Sequence, residues 1–433
     1  MNRIVIFFFL LVSGTPLFSQ QTISLEQAIQ LAVAKNYNVR IAYNDFEKSD
    51  VQHQVGNAGM LPQVTATGAY SRNYNNLEIG RGTNQVPTGW IKGRSYNGFL
   101  NLKQTLFDGG NMFRLYDKLG LGKDLQGYKK KQTIENTISS VVSTYLSVCR
   151  SKQLVAINKE AIKLSTQRLE IADSRRKAGA ATVMEALTAK VDVAKDSSQL
   201  LANENNLTQN RRQLLYLLAM NQDELIRVNE DIVLAEISPD SLIKQVTASN
   251  TLIKQAKMGQ SISELDYQVY KGSRLPVISL SARGGYSNSV SPFNFNSLTK
   301  GYYSGVDLNA SFNVFNGNKT NIQQQVSKLE LLNKDIQLED VTQRIVKDAK
   351  NSQSAYQTRL RQYQFETQNL ATFQKNFELT EQAYKLGRTT PIQLREAQIN
   401  LLEAKRRIYE AKLNIKLEEI DLLRLSGHLI SVN

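Results

Sequence analysis

The chain has 433 residues, of which 41% are hydrophobic and 21% are charged, and its formal net charge is +14. A single cysteine excludes an internal disulfide framework and any cysteine-based zinc site, and two histidines leave little for metal catalysis or a serine triad. We therefore expect no enzyme activity, no cofactor and no metal. Seven prolines are few for this length and favour long uninterrupted elements.

A secretory signal peptide is predicted at residues 1–19. Arg3 supplies one positive charge, an apolar run follows at residues 4–12, and the small residue Ser19 precedes the expected cleavage point. This run is too short to cross a bilayer as a helix, and no later stretch reaches the roughly 20 apolar residues that a spanning helix needs. The chain is therefore expected to be exported without a helical anchor.

Self-comparison indicates an internal duplication. Moving the sequence along itself by 208 residues aligns three groups in the same order. They are Phe107-Asp108-Gly109 with Phe315-Asn316-Gly317, Lys177-Ala178-Gly179 with Lys385-Leu386-Gly387, and Leu214-Leu215 with Leu422-Leu423. We predict a first repeat at 20–220, a linker at 221–237, a second repeat at 238–428 and a tail at 429–433.

Each repeat has the same predicted order of elements. A helical segment comes first, at 24–58 in one copy and 240–272 in the other. Two strands follow, and a long helix and a shorter returning helix complete the repeat. The predicted strands lie at about 63–72 and 97–107 in the first copy, and at about 277–287 and 303–315 in the second. The segments between paired strands, 73–95 and 287–303, are rich in Asn, Gly, Ser and Tyr and are interpreted as exposed loops.

The strands are predicted from strict alternation of apolar and polar residues. In the second copy the apolar set is Val306, Leu308, Ala310, Phe312 and Val314, and polar residues stand between its members. The first copy has a weaker pattern, in which Leu100, Leu102 and Leu106 alternate with polar residues and Gln104 interrupts the apolar face. Each strand is thus expected to have one apolar and one polar side.

The long helices are predicted at 111–177 and 318–386, which contain no proline. At 1.5 Å per residue each would be roughly 100 Å long, so it must be buried laterally against other helices. Apolar residues repeat every seven positions, the period of a coiled coil. The columns are Val141, Val148, Val155, Ile162 and Leu169, then Ala349, Tyr356, Tyr363, Leu370 and Phe377, with Val193, Leu200, Leu207 and Leu214, and Leu394, Leu401, Ile408, Ile415 and Leu422, on the returning helices.

Glycines mark the turns between long and returning helices. Gly179 and Gly387 are suited to end a helix, and Pro391 is suited to the first turn of the next one. Apolar residues at helical spacing are in general core residues, and we interpret these columns in that way.

The four strands of one chain cannot close a barrel, and open strand edges are excluded from hydrocarbon. Three copies would supply twelve strands, an even number within the range of outer-membrane barrels. The predicted fold class is therefore mainly α with a membrane β part. It consists of a duplicated helix–strand–strand–long helix–helix repeat, assembled as a trimeric 12-stranded outer-membrane β-barrel that a long α-helical coiled-coil barrel continues.

Three sequence stretches resemble a known family. They are Leu61-Pro62-Gln63, the run from Gln104 to Gly110, and the run from Ala383 to Thr389 that leads into Leu394-Arg395-Glu396-Ala397-Gln398. These stretches are similar to those of TolC-like outer-membrane efflux proteins, the outer membrane factor family. The resemblance implies a homotrimeric exit duct of a tripartite efflux or type I secretion system, seated in outer-membrane lipid and extending into the periplasm. It implies two partners, a periplasmic adaptor (membrane fusion) protein and an inner-membrane pump of the RND, ABC or MFS type.

The resemblance also implies where function concentrates. The ends of the helical hairpins would form the periplasmic entrance and contact the adaptor. The adaptor-contact residues by this comparison are Lys177, Gly179, Thr182, Lys385, Gly387, Arg388 and Thr390. The entrance or gate candidates are Glu185, Tyr384, Gln393 and Glu396. Family members often have acidic residues at the positions of Gln393 and Glu396, and Gln393 departs from that pattern.

Several of these candidates have a second interpretation. Glu396 could pair with Arg395 or Lys405 on a solvated helix face, and Tyr384 could be an aromatic packing residue. For the whole chain, the alternative is an exported periplasmic coiled-coil scaffold or adaptor protein without a pore, which explains the heptads but not the strand pairs. A hydrolase is disfavoured because the sequence offers no nucleophile–base set, and the predicted signal peptide argues against a nucleic-acid partner.

Overall fold

The computed structural model describes residues 22–77, 89–235, 237–290 and 298–430, so the predicted signal peptide lies outside the described residues. Two compact units divide the chain. The first comprises the chain up to Arg40, Ile134–Ile243 and the chain from Ala349, and the second comprises Ile41–Thr133 and Lys244–Asp348. In chain order the elements are β1 Thr22–Ile23, α1 Leu25–Lys35, α2 Tyr37–Gln52, β2 Gln63–Leu77, β3 Gly89–Phe107, α3 Asn111–Lys177, α4 Val183–Leu217, β4 Arg227–Val228, α5 Pro239–Ser249, α6 Thr251–Gly272, β5 Val277–Val290, β6 Leu298–Ser311, α7 Lys319–Lys385 and α8 Pro391–Leu425.

The long helices have the predicted extent. Both α3 and α7 contain 67 residues, and the shorter α4 and α8 contain 35 each. In the first unit the heptad positions Val141, Val148, Ile415 and Leu422 are buried, as a lateral helix packing requires. None of the helices within the described ranges has a stretch apolar enough to cross a membrane.

The two shorter helical segments are interrupted, which the sequence prediction of continuous helices at 24–58 and 240–272 did not include. Asn36 separates α1 from α2, and its side-chain amide donates to the Leu217 carbonyl at 2.8 Å. Asn250 separates α5 from α6, where its side-chain oxygen accepts from the backbone amides of Leu252 and Ile253. Asparagine competes for backbone hydrogen bonds in this way and so favours helix starts over helix interiors.

The core of the first unit joins distant parts of the chain. Strands β1 and β4 pair in parallel, and Ile23 is 1% exposed within an apolar cluster that also contains Val142, Leu214 and Leu429. The Tyr145 hydroxyl lies 2.9 Å from the carbonyl oxygens of both Ile23 and Asn229, and can donate to either. This phenol therefore fixes the otherwise isolated two-residue strands.

The second unit contains a four-stranded antiparallel sheet in the order β2-β3-β5-β6. Its strands are longer than predicted, and the interpretation of 73–95 and 287–303 as loops is wrong for the part that the structure describes. The ladder continues to Leu77 opposite Gly89 and to Val290 opposite Leu298. Polar side chains do not prevent this pairing, because the backbone alone makes the ladder. At its other end β6 stops at Ser311, short of the predicted 315.

The register gives the sheet two chemically distinct faces. Residues that face one another across the ladder share a side of the sheet, so Val64, Leu102, Ala282 and Val306 form one row. The apolar face, as we call it, consists of Val64, Ala66, Leu100, Leu102, Leu280, Ala282, Val306 and Leu308. The polar face carries side-chain hydrogen bonds between neighbouring strands, for example Asn101–Thr67 at 3.2 Å, Ser287–Asn97 at 2.7 Å and Asn309–Ser281 at 2.9 Å.

One glycine allows two strands of the sheet to approach closely. A Cβ atom added to Gly285 would lie 2.1 Å from the Gly98 carbonyl oxygen and 2.5 Å from the Phe99 ring. Any other residue at this position would displace the backbone of the neighbouring strand.

Candidate functional site

The two helical hairpins of the first unit end in the same backbone structure. After α3, Gly179 has φ +73°, and the amides of Gly179 and Ala180 donate to the carbonyls of Arg176 and Arg175 at 3.0 and 2.8 Å. After α7, Gly387 has φ +72° and makes the equivalent pair of bonds with its successor. This arrangement satisfies the last carbonyls of each helix and requires a left-handed residue, for which glycine is suited. The predicted helix stops are therefore confirmed.

The returning helices begin with side-chain caps that fix two of the gate candidates. Thr182 accepts from the amide of Glu185 at 3.2 Å, which makes Glu185 the third residue of α4. Thr390 and Gln393 form a reciprocal capping box at the start of α8, with Pro391 in the first turn. The Gln393 amide oxygen is thereby committed to the helix start. Glu185 has no such bond to its cap, and its carboxylate is available elsewhere.

That carboxylate contacts the end of α7. The Tyr384 hydroxyl donates to Glu185 Oε1 at 2.8 Å, and the Tyr384 side chain is fully buried. The guanidinium of Arg175 lies 5.2 Å from the Tyr384 ring centre, and its Nη1 atom is 3.9 Å from the same carboxylate oxygen. We name these three residues the tip contact. It joins the end of α3, the start of α4 and the end of α7.

Burial, followed by the bond to Glu185, raises the pKa of the Tyr384 hydroxyl to about 12. A phenol that donates to a carboxylate is stabilised in its protonated form, and removal from water disfavours its anion. Tyr384 consequently remains a hydrogen-bond donor at any pH near neutrality. The Tyr384 ring is thus a buried packing residue, and its hydroxyl is also a polar contact to Glu185, so the two interpretations are compatible.

A set of charged residues links α3, α4 and α8 beside the tip contact. Arg395 binds Asp196 through two hydrogen bonds of 2.9 and 2.7 Å, and Arg168 bonds to Asp192. Burial opposes the charge of Arg395, but the bonds to Asp196 and the charge of Asp192 outweigh it and raise the Arg395 pKa. Burial dominates for Arg168, whose pKa is lowered despite the adjacent Asp192. A bidentate, half-buried pair holds the helices more firmly than an exposed one.

This set was not predicted from the sequence, because its partners are far apart along the chain. It also removes the alternative pairing of Glu396. Arg395 is bound to Asp196, and Lys405 is bound to Glu160 at 2.7 Å, so neither neutralises Glu396. The Glu396 side chain is exposed and makes no ion pair with any residue that the structure describes.

A cavity of about 420 Å³ lies between these helices. Its wall combines apolar side chains with the groups just described: Ala172, Ala189, Pro391, Ile392, Ile399, Arg168, Asp192, Arg395, Tyr384, Glu185, Thr188 and Glu396. The structure thus brings Glu185, Tyr384 and Glu396 around one space, whereas Gln393 is held at the helix start outside its lining. The seven adaptor-contact candidates are all exposed at the hairpin ends. Among the described residues no group of three His, Cys, Asp or Glu is arranged to hold a metal ion.

Comparison with known proteins gives a consistent result over nearly the whole chain. A family model described as outer membrane efflux protein matches residues 28–219 and 242–428. Outer membrane protein TolC of Salmonella enteritidis is 22% identical over 444 residues, covering 96% of this chain and 87% of TolC. In fold, the chain resembles the Campylobacter jejuni CmeC outer membrane channel, with a TM-score of 0.80, 18% identity, and coverage of 94% of this chain and 86% of CmeC. It also resembles the open state of the Neisseria gonorrhoeae MtrE outer membrane channel, with a TM-score of 0.73, 16% identity, and coverage of 94% and 89%.

Proposed function

The chain belongs to the outer membrane efflux protein family, whose members lie in the outer membrane and extend into the periplasm, and from this premise we propose that it is a passive exit duct. It would conduct substrates delivered by an inner-membrane pump of the RND, ABC or MFS type through a periplasmic adaptor. Pump and adaptor supply the energy and the docking, and the duct performs no chemistry. We propose a homotrimer in which twelve pooled strands form the membrane barrel and the helices continue it as a tube.

The observation that carries this proposal is the sheet of the second unit. Four strands with one apolar and one polar face end in free edges at β2 and β6 within the described residues. An apolar face suits lipid, and a polar face suits a water-filled interior. Free edges are not tolerated in hydrocarbon, so sister chains are needed to close the sheet.

Conductance of the purified full-length protein in planar lipid bilayers tests the duct directly. We expect discrete single-channel steps and a trimer that migrates differently in gels before and after heating. The alternative scaffold or adaptor without a pore predicts a periplasmic protein that gives no conductance steps. Either a stable monomer or a silent bilayer would contradict the proposal.

We propose that the residues at the hairpin ends form the gated entrance of the duct. The tip contact supports a closed arrangement, because one hydrogen bond joins α4 to the end of α7. Glu396 supports an electronegative constriction, since it is exposed on the cavity wall and its charge is not compensated by Arg395 or Lys405. Three such carboxylates near one axis would concentrate a negative potential. Gln393 would contribute no charge. The exposed adaptor-contact residues would bind the adaptor around this entrance.

Replacing Glu396 tests the constriction. Glu396→Gln should weaken block of the channel by multivalent cations, since it removes one carboxylate per chain without changing the side-chain size. The control is Glu378→Gln, which removes a half-exposed carboxylate of α7 whose only ion pair among the described residues is a long one, 3.9 Å to Lys375. Unchanged cation block and conductance in Glu396→Gln would remove this residue from the gate.

A further inference from the structure

Aromatic side chains border the apolar face of the sheet toward its hairpin ends. Tyr70 faces Tyr96 and Tyr286 faces Tyr302, with ring centres 5.5 and 5.3 Å apart. The register places the two pairs within two residues of the same level. Tyrosines at such a border are typical of the boundary between hydrocarbon and headgroups. This row therefore marks where lipid tails would end.

Four basic residues lie on the same face, three of them just beyond the tyrosines and Lys300 level with the Tyr70–Tyr96 pair. Arg72 faces Arg94, Lys92 faces Tyr74, and Lys300 faces Asn288, which itself faces Tyr96. Contacts confirm the shared side: the Arg72 guanidinium lies 5.3 Å and the Lys92 ammonium 5.9 Å from the centre of the Tyr74 ring. We name Arg72, Lys92, Arg94 and Lys300 the basic rim. All four side chains are exposed.

Within the four described strands, no acidic residue lies on the face of the basic rim. Asp307 is the only acidic residue in the four described strands, and it lies on the polar face, one position from the row of Val306 and Ala282. Like charges on one face of a sheet repel one another and attract anions. The positive charge of the basic rim therefore favours binding of a negatively charged partner.

The apolar face below the rim has a groove. A space of about 420 Å³ opens at the small residues Ala282, Gly284 and Ser304. Its other lining residues are Val64, Leu100, Leu102 and Val306, together with Asn101, Arg283 and Gly305. A groove of this kind accepts an apolar chain. The partner that satisfies both features has an anionic head at the level of the rim and an apolar tail below the tyrosines.

We propose that the basic rim binds the phosphate-bearing headgroup of an anionic lipid whose acyl chains lie on the apolar face. A soluble anion would satisfy the charges but not the groove, and a zwitterionic lipid would satisfy the groove but not the charges. The inference rests on the proposed function, because that function puts the helices in the periplasm and so the hairpin ends of the strands in the outer leaflet.

A single tryptophan placed at the tyrosine row can report on this site. Trp90 is the single tryptophan of the sequence and lies beyond the rim, so the probe protein is Tyr302→Trp in a Trp90→Phe background. Tyr302 is 90% exposed and lies two residues from Lys300 on the same face. The full-length probe protein is reconstituted in phosphatidylcholine vesicles that contain an equal fraction of either phosphatidic acid or phosphatidylcholine with brominated acyl chains. Bromine quenches tryptophan fluorescence only at short range, so the extent of quenching reports which lipid resides beside this indole.

We expect brominated phosphatidic acid to quench the indole of the probe protein more strongly at the same mole fraction. Each removed cation should reduce the preference roughly fivefold, the usual strength of a basic residue at an anionic surface. The variant Arg72→Gln/Lys92→Gln/Arg94→Gln/Lys300→Gln should quench equally with both lipids. Lys103→Gln is the matched control, because Lys103 lies in β3 but on the polar face, and it should keep the full preference.

Three results would overturn the inference. They are equal quenching of the probe protein by both lipids, a preference that survives when the fourfold variant is made in the probe protein, and loss of the preference on adding inorganic phosphate, which would indicate a site for soluble anions. Conductance of the same vesicles separates this test from the proposed function. A protein that prefers phosphatidic acid but gives no conductance would contradict the proposed duct and support the lipid site. A protein that conducts but shows no lipid preference would support the duct and contradict the lipid site.

Discussion

The tip contact allows one hydrogen bond to be removed almost in isolation. Tyr384→Phe deletes the hydroxyl that donates to Glu185 at 2.8 Å and keeps the buried ring. The stacking of Arg175 on that ring and its 3.9 Å contact with Glu185 would remain. The substitution therefore tests the bond and not the packing. We expect it to favour the open state of the channel.

The size of the effect follows from the kind of bond. A hydrogen bond to a charged group contributes roughly 1.5–3 kcal/mol of stability. The contribution is toward the upper end of this range when both groups are withdrawn from water. Tyr384 is buried and the Glu185 side chain is 15% exposed. If the bond exists only in the closed state, its loss shifts the closed-to-open ratio by roughly 10–150-fold.

The pKa of Tyr384 adds a pH dependence with a definite sign. The folded-state pKa is raised from 10.0 to about 12, so the stabilisation is fully present below pH 10 and is lost as the pH rises through about 12. Wild-type open probability should accordingly be the same at pH 8 and pH 9. The open state should become more populated only above pH 10, while Tyr384→Phe should show no such change.

Single-channel recording in planar bilayers measures the open probability of each variant. The control is Tyr363→Phe, which deletes a hydroxyl on the same helix that makes no hydrogen bond to the residues that the structure describes. The reasoning is refuted if Tyr384→Phe forms intact trimers with wild-type open probability, or if the control opens the channel equally.

Three further changes test other parts of the structure. Gly285→Ala would place a Cβ 2.1 Å from the Gly98 carbonyl oxygen and should cost about 3 kcal/mol, the upper part of the usual range for overpacking, seen as loss of the heat-modifiable form, whereas Gly301→Ala, with open space around it, should behave as wild type. Thr390→Ala removes the cap of α8 and should cost about 1 kcal/mol, seen as faster hydrogen exchange of the amides of residues 392–394; unaltered exchange would contradict the role of the cap. Burial raises the pKa of the Cys149 thiol to about 12, so maleimide at pH 8 should label it only after denaturation, and rapid labelling of folded protein would show that the core is open there.

The helices were the most predictable part of the fold. Absence of proline, a seven-residue apolar period and glycine after the last turn are local signals, and they placed α3 at the residues that the structure has. The strand ends were less predictable, because Asn73 to Leu77 and Gly89 to Ser95 have loop composition but pair through their backbones. The helix breaks at Asn36 and Asn250 depend on side-chain caps that periodicity does not detect.

The residues of the candidate site could be identified from the sequence, but the contacts between them could not be predicted. Resemblance pointed to Glu185, Tyr384 and Glu396, yet no pattern indicates that Tyr384 bonds to a residue 199 positions away. The pair of Arg395 and Asp196 has the same sequence separation and was missed altogether. Such contacts arise from the packing of helices that are distant in sequence, and local sequence patterns do not specify which residues of two helices meet. The basic rim likewise requires the ladder register, since one residue of slippage would move every side chain to the other face.

The pairing of β1 with β4 has a consequence for the biogenesis of the protein. The same core contains Ile23 at one end of the described chain and Leu429 at the other. The core of the first unit therefore becomes complete only after both Ile23 and Leu429 have emerged on the far side of the inner membrane. Contacts between positions so distant in sequence form slowly. Chaperones and proteases of that compartment can thus act on the first unit before its core has closed.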